Sequence, residues 1–152
     1  MKQRLGIAQT LLHLPRVLVV DEPTAGLDPN ERIRFRNMLS ELARDRVVIF
    51  STHIIEDISS SCNRLAVLLK GRVLFTGTPA ELVNLTRGSV WQAYVDDAAF
   101  EDIRKIHKVV HHIRDGDRIR VRILSAIKPL ETALEVVPNL EDSYMWLLGQ
   151  EA

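Results

Sequence analysis

The chain has 152 residues, room for one ordinary domain or for one domain with a small appendage. Its 46% hydrophobic and 26% charged residues are typical of a globular protein, and no apolar run reaches membrane-spanning length. Twenty basic residues balance twenty acidic ones, so net charge points to neither nucleic acid nor an anionic membrane surface, and the single cysteine, Cys62, excludes an internal disulfide.

Residues 1–15 have a basic start and an apolar middle. Gln9, Thr10 and His13 interrupt that middle and no small-x-small cleavage site follows, which argues against a targeting signal. Leu5, Ala8, Leu11 and Leu12 recur at helical spacing and predict a helix ending before Pro15. The unbroken apolar run of residues 17–20 predicts a parallel strand buried on both faces. Residues 31–43 predict a helix with Ile33, Phe35, Met38, Leu39 and Leu42 inward. Arg32, Arg34, Arg36 and Arg44 lie mostly on its solvated side. Asp28 is its expected N-cap, with Pro29 at the first position and Glu31 at capping-box spacing.

A second apolar strand is predicted at 47–50, ending in Ser51-Thr52-His53, then a short helix at 54–61. Runs at 64–69 and 72–76 around Lys70-Gly71 predict a hairpin, and Thr78 caps a helix through residue 85. Composition shifts near Thr86-Arg87-Gly88, where we place a domain boundary. Beyond it the pattern predicts a strand at 90–95, a helix at 98–106, and a hairpin turning at Asp115-Gly116. Helices at 130–137 and 140–148 follow, which together make a small α+β layer.

Two parallel strands need a crossover, here the helix from Glu31, and ligands bind such sheets at the carboxyl ends of the strands. Asp21 and Glu22 end the first strand and Ser51, Thr52 and His53 follow the second. Two adjacent carboxylates repel unless a cation shares them. An acidic pair, two hydroxyls and an imidazole suit a magnesium nucleotide. Consecutive strand residues point opposite ways, so one carboxylate can hold Mg²⁺ through water while the other orients or deprotonates a water. The histidine can hydrogen-bond a transferring phosphoryl group. An isolated Asp-Glu pair is ordinarily a solvated turn, and a metal-dependent hydrolase that uses no nucleotide is a further reading. The ordered set of strand, DEPTAGLDP, helix, strand and STH is what argues for the nucleotide.

MKQRLGIAQTLL, VLVVDEPTAGLDP, VVIFSTH and GRVLFTGTPAEL, in that order, resemble the second half of an ATP-binding cassette (ABC) ATPase, the motor subunit of ABC transporters. The resemblance covers residues 1–86. It implies a partial P-loop NTPase-type α/β sheet whose N-terminal half is missing, followed by a small α+β domain. Residues 1–88 would be the C-terminal half of the ATPase domain and 89–152 a C-terminal extension. By the resemblance Asp21 is the magnesium-side Walker B aspartate, Glu22 the catalytic glutamate and His53 the switch histidine at the γ-phosphate. Asp28 lies in the loop that meets the second ATPase subunit, and Gln3 and Arg4 start the signature helix. ATP and Mg²⁺ are the implied cofactors. A second ATPase subunit and transmembrane permease subunits are the implied partners, with no nucleic acid, at the cytoplasmic face of the membrane.

The tail from Ser89, closing in PNLEDSYMWLLG, resembles extensions found on ATPases of bacterial export systems, which makes an exporter the expected role. The phosphate-binding loop G-x-x-x-x-G-K-[ST], the glutamine loop and the Leu-Ser-Gly-Gly signature do not occur in these residues. We therefore expect a C-terminal fragment, inactive by itself and prone to self-association through exposed strands. The alternative is a non-catalytic interaction or regulatory module derived from such an ATPase. His107, His111 and His112 read as surface histidines rather than a zinc site, because no convergent third or fourth ligand joins them. Arg118, Arg120 and Arg122 read as a solvated sheet face, with Asp115 and Asp117 beside them, rather than an anion site.

Overall fold

A computed structural model describes residues 6, 9–13 and 15–150. The chain divides into two compact units, Met1–Asn63 and Arg64–Ala152. Of the predicted first helix, Gly6 and residues 9–11 are helical, while Leu5 and Ala8 lie outside the described residues.

In the first unit, β1 (Val17–Asp21) and β2 (Val47–Ser51) pair in parallel, with Leu18 opposite Val48 and Asp21 opposite Ser51. The crossover between them carries α1 (Pro29–Leu42). Asp28 Oδ1 accepts the Glu31 N–H at 2.9 Å, and Pro29 opens the helix where no intrahelical N–H is needed. Phe35 and Leu39 from α1 close over Leu18, which is 1% exposed, and Leu11, Val20, Val48 and Phe50 pack around them. Burying one such leucine stabilises by about 1.5–3 kcal/mol. After β2 comes the short α2 (Ile55–Ser61).

The expectation of strands buried on both faces is corrected here. Val17, Val19, Val47 and Ile49 are 52–69% exposed. Register sets Val17 beside Val47 and Val19 beside Ile49, so they form one aliphatic face opposite the face that α1 covers. A continuous apolar run states that both faces want cover. Among the described residues only one face has it.

The second unit opens with a hairpin, β3 (Leu65–Leu69) and β4 (Arg72–Gly77). Lys70 and Gly71 take φ of 49° and 77°, the positive pair that a two-residue hairpin turn of this hand requires. α3 (Pro79–Asn84) follows with a complete capping box between Thr78 and Glu81. Then β5 (Val90–Val95), α4 (Asp97–Ile106), β6 (Lys108–Asp115), β7 (Arg118–Leu124), β8 (Leu134–Glu135) and α5 (Leu140–Gly149) complete the chain. The sheet order is β6-β7-β5-β8, all antiparallel.

Alternation governs β7: Ile119, Val121 and Ile123 are buried with Ala93 and Val95, and Phe100 and Ile103 of α4 cover them. Trp91 is partly buried against this core and donates Nε1–H to the Ser125 carbonyl at 2.9 Å. The His112 ring packs against Phe100 tilted by 42°, with ring centroids 4.8 Å apart.

One element differs from the expectation drawn from the sequence. The helix expected at 130–137 does not form. Pro129 and Pro138 bracket the segment, and a residue preceding proline is driven out of the α region. Leu134 and Glu135 instead pair with Gln92 and Trp91, giving β5 a partner on its second side. By internal contacts the compact units divide at Asn63, while the composition shift lies at Thr86–Gly88. The grouping has a local cause: α3 packs on α5, and the buried Thr86 and Ser143 hydroxyls lie 2.7 Å apart.

Candidate active site at the ends of the parallel strands

The segment between β1 and α1 is two successive tight turns. The Ala25 N–H donates to the Glu22 carbonyl and the Leu27 N–H to that of Thr24, at 3.1 and 3.2 Å. Gly26, at φ 72°, occupies the left-handed position that the second turn needs. Glu22 itself has φ 45°, a conformation few non-glycine residues adopt and one that clusters at functional sites. β1 ends at Asp21, so Glu22 is already off the strand and strand alternation does not set its direction.

Ser51 organises the two carboxylates. Its hydroxyl donates to Asp21 Oδ1 in a short hydrogen bond, and Ser51 Oγ itself accepts the Glu22 N–H at 3.1 Å. The Ser51 carbonyl accepts that N–H as well, at 3.0 Å. Glu22 Oε1 lies 2.8 Å from His53 Nδ1. The register of β1 and β2 thus brings Asp21, Glu22, Ser51 and His53 to one sheet end. Asp28, by contrast, serves as the cap of α1, and Gln3 and Arg4 lie outside the described residues.

A support under this cluster escaped the sequence reading. Asp57, on α2, is 1% exposed. The hydroxyl of buried Thr24 donates to its Oδ2 in a short hydrogen bond, and Arg36 Nη1 approaches Oδ1 at 3.5 Å while also donating to the Glu56 carbonyl at 3.2 Å. Thr52 Oγ1 lies 3.5 Å from Asp57 and accepts the Ile54 N–H at 3.0 Å. One carboxylate therefore ties the turn after Glu22, the helix α1 and the residue before His53. The available signal was an acidic residue placed among Ile54, Ile55 and Ile58.

The donor set fits one side of a hydrated magnesium ion. Mg²⁺ prefers oxygen ligands, keeps several waters and needs only one or two carboxylates when phosphates supply the rest. Asp21 and the Ser51 hydroxyl offer that chemistry. Among the described residues no group of three or more His, Cys, Asp or Glu could enclose a metal.

No family model matches the chain. The Nod factor export ATP-binding protein I of Rhizobium etli is 33% identical over 163 residues, covering 99% of this chain and 51% of that protein. The chain belongs to the ABC transporter ATP-binding proteins. The Bacillus subtilis ABC transporter ATP-binding protein YxlF is 37% identical over 97 residues, 64% of this chain and 33% of that protein. The solved structure of CbiO1 from Clostridium perfringens, part of the ABC transporter complex CbiONQ, shares 33% identity over 68% of this chain and 36% of that one, with a TM-score of 0.48. The chain spans about half the length of the Nod factor relatives it matches. Among the described residues no helix is long and apolar enough to cross a membrane.

Proposed function

We propose that these residues form the water-activating half of an ABC transporter ATPase, working in an exporter and driving partner permease subunits. The observation that supports this best is the Glu22–His53 contact of 2.8 Å, at the same strand end as the Asp21–Ser51 pair. Glu22 is the base that orients and deprotonates the attacking water. With Nδ1 turned to Glu22, His53 keeps Nε2 for the terminal phosphate. Asp21, fixed by Ser51, would hold the metal through water. Bound Mg²⁺ would neutralise charge on the phosphate oxygens.

Asp28 faces a second ATPase subunit in this reading, and Gln3 and Arg4 begin the signature helix. The protein works at the cytoplasmic face of the membrane, held there by its permeases. Residues 1–88 belong to the ATPase domain and 89–152 to the extension. An export role rests on the relatives named for Nod factor export. The 152 residues contain no G-x-x-x-x-G-K-[ST] loop, so the grip on the phosphates comes from polypeptide other than these residues, and alone they do not turn over ATP.

In an ATPase that carries these residues together with a phosphate loop, Ser51→Ala is the test. One charge-assisted hydrogen bond is worth roughly tenfold. Turnover should fall by about that factor and half-maximal activity should need more Mg²⁺. Magnesium-independent turnover, or turnover untouched by the substitution, would remove the reading.

A further inference from the structure

The four-stranded sheet has a polar face, and a cavity of about 340 Å³ opens on it. Its volume lies in the range of small-molecule sites. The floor is a row across three strands: His111 of β6 and Gln92 of β5 each stand opposite Arg122 of β7. Arg120 lies one rung along, two residues away on the same face. Asn139 and Glu141, from the start of α5, complete the wall.

The two arginines are not equivalent. Arg122 is held by Asp142, with Nε and Nη2 on the two carboxylate oxygens at 2.8 and 2.6 Å, and Nη2 also donates to the Val137 carbonyl. Its charge is answered. Arg120 lines the same cavity half-buried, and among the described residues no carboxylate pairs with it. A planar guanidinium with unengaged donors is matched to the geometry of a carboxylate or phosphate. Gln92 and Asn139 add neutral amide donors beside it. Glu141 sets a second condition. It repels a bare polyanion and accepts a hydrogen bond from a hydroxyl.

We propose that this cavity binds a small hydroxylated acid, its carboxylate or phosphate on Arg120 and its hydroxyl on Glu141. The site belongs to the second unit alone and stands or falls independently of the ATPase reading. An amide-resolved NMR titration of the 152-residue protein tests it, using glycerol 3-phosphate, glycerate and glycerol at constant ionic strength.

The acids should give saturable shifts at Gln92, Arg120 and Asn139, and glycerol none. The tighter-binding acid identifies the preferred oxyanion. Arg120→Gln should weaken binding about tenfold. Arg118→Gln removes the same charge from the same strand outside the cavity and should leave binding unchanged. Gln92→Ala, which removes a neutral donor, should weaken it without altering charge. Absence of saturable shifts at millimolar concentration would overturn the proposal. So would equal weakening by Arg118→Gln and Arg120→Gln, which would report general charge attraction.

Discussion

Glu22→Gln in an ATPase carrying these residues is expected to lower kcat by roughly 10²- to 10⁴-fold, the range contributed by a general base. ATP affinity should stay within a few-fold, because glutamine keeps the volume and one oxygen, and in the proposed function other residues hold the phosphates. The structure makes the expectation specific. Glu22 reaches its place by leaving the strand at φ 45° and is held by its own N–H on Ser51 as well as by His53. The backbone part of that hold survives the substitution, so the variant tests the carboxylate and not the loop. Turnover near that of the parent would mean another group takes the water's proton.

The second large effect lies far from that chemistry. Arg122→Met removes the partner of Asp142, which is 0% exposed. Breaking a buried pair from one side leaves an uncompensated charge, at a cost of about 3–5 kcal/mol. The hydrogen bond to Asp142 pushes the Arg122 guanidinium further up from its already high range, so the arginine carries its charge across all ordinary pH. Asp142→Asn should cost less. Asparagine still offers an oxygen to the Asn139 N–H, which Asp142 accepts at 2.7 Å, and the Arg122 side chain, 20% exposed, can reach water. Both tryptophans, Trp91 and Trp146, belong to this unit, so urea unfolding followed by fluorescence reports it directly. A loss under about 1 kcal/mol for Arg122→Met would contradict the pair's role.

Hydrophobic periodicity and turn chemistry carried the element order. Lys70-Gly71, Asp28-Pro29 and Thr78-Pro79 each sit where the structure turns or caps, and the turn expected at Asp115-Gly116 falls one residue later, at Gly116-Asp117. Such signals are local, and the structure keeps them. What could not be read was long-range. The run at 47–50 specifies a strand that wants two covered faces, yet nothing in it says which neighbours are present. Residues 130–137 have the apolar content of a helix, while their flanking prolines and the open side of β5 favour a strand. Arg122 and Asp142 are twenty residues apart, and Thr24 and Asp57 thirty-three, so neither pair leaves a pattern at helix or strand spacing.

The candidate site was legible for a related reason. Asp21 and Ser51 are thirty residues apart, but each ends an apolar strand, and parallel pairing in register brings the two ends together. The φ of Glu22 was not legible, because strand alternation predicts a direction for a residue only while it remains in the strand.

In the function proposed above, these 152 residues supply the water-activating groups of an ABC ATPase but not the grip on its phosphates. Calorimetric titration of the chain with Mg-ATP tests this most directly. No binding in the micromolar range is expected. A micromolar dissociation constant, equivalent to about 8 kcal/mol of binding, would show that these residues hold the nucleotide themselves and would contradict it.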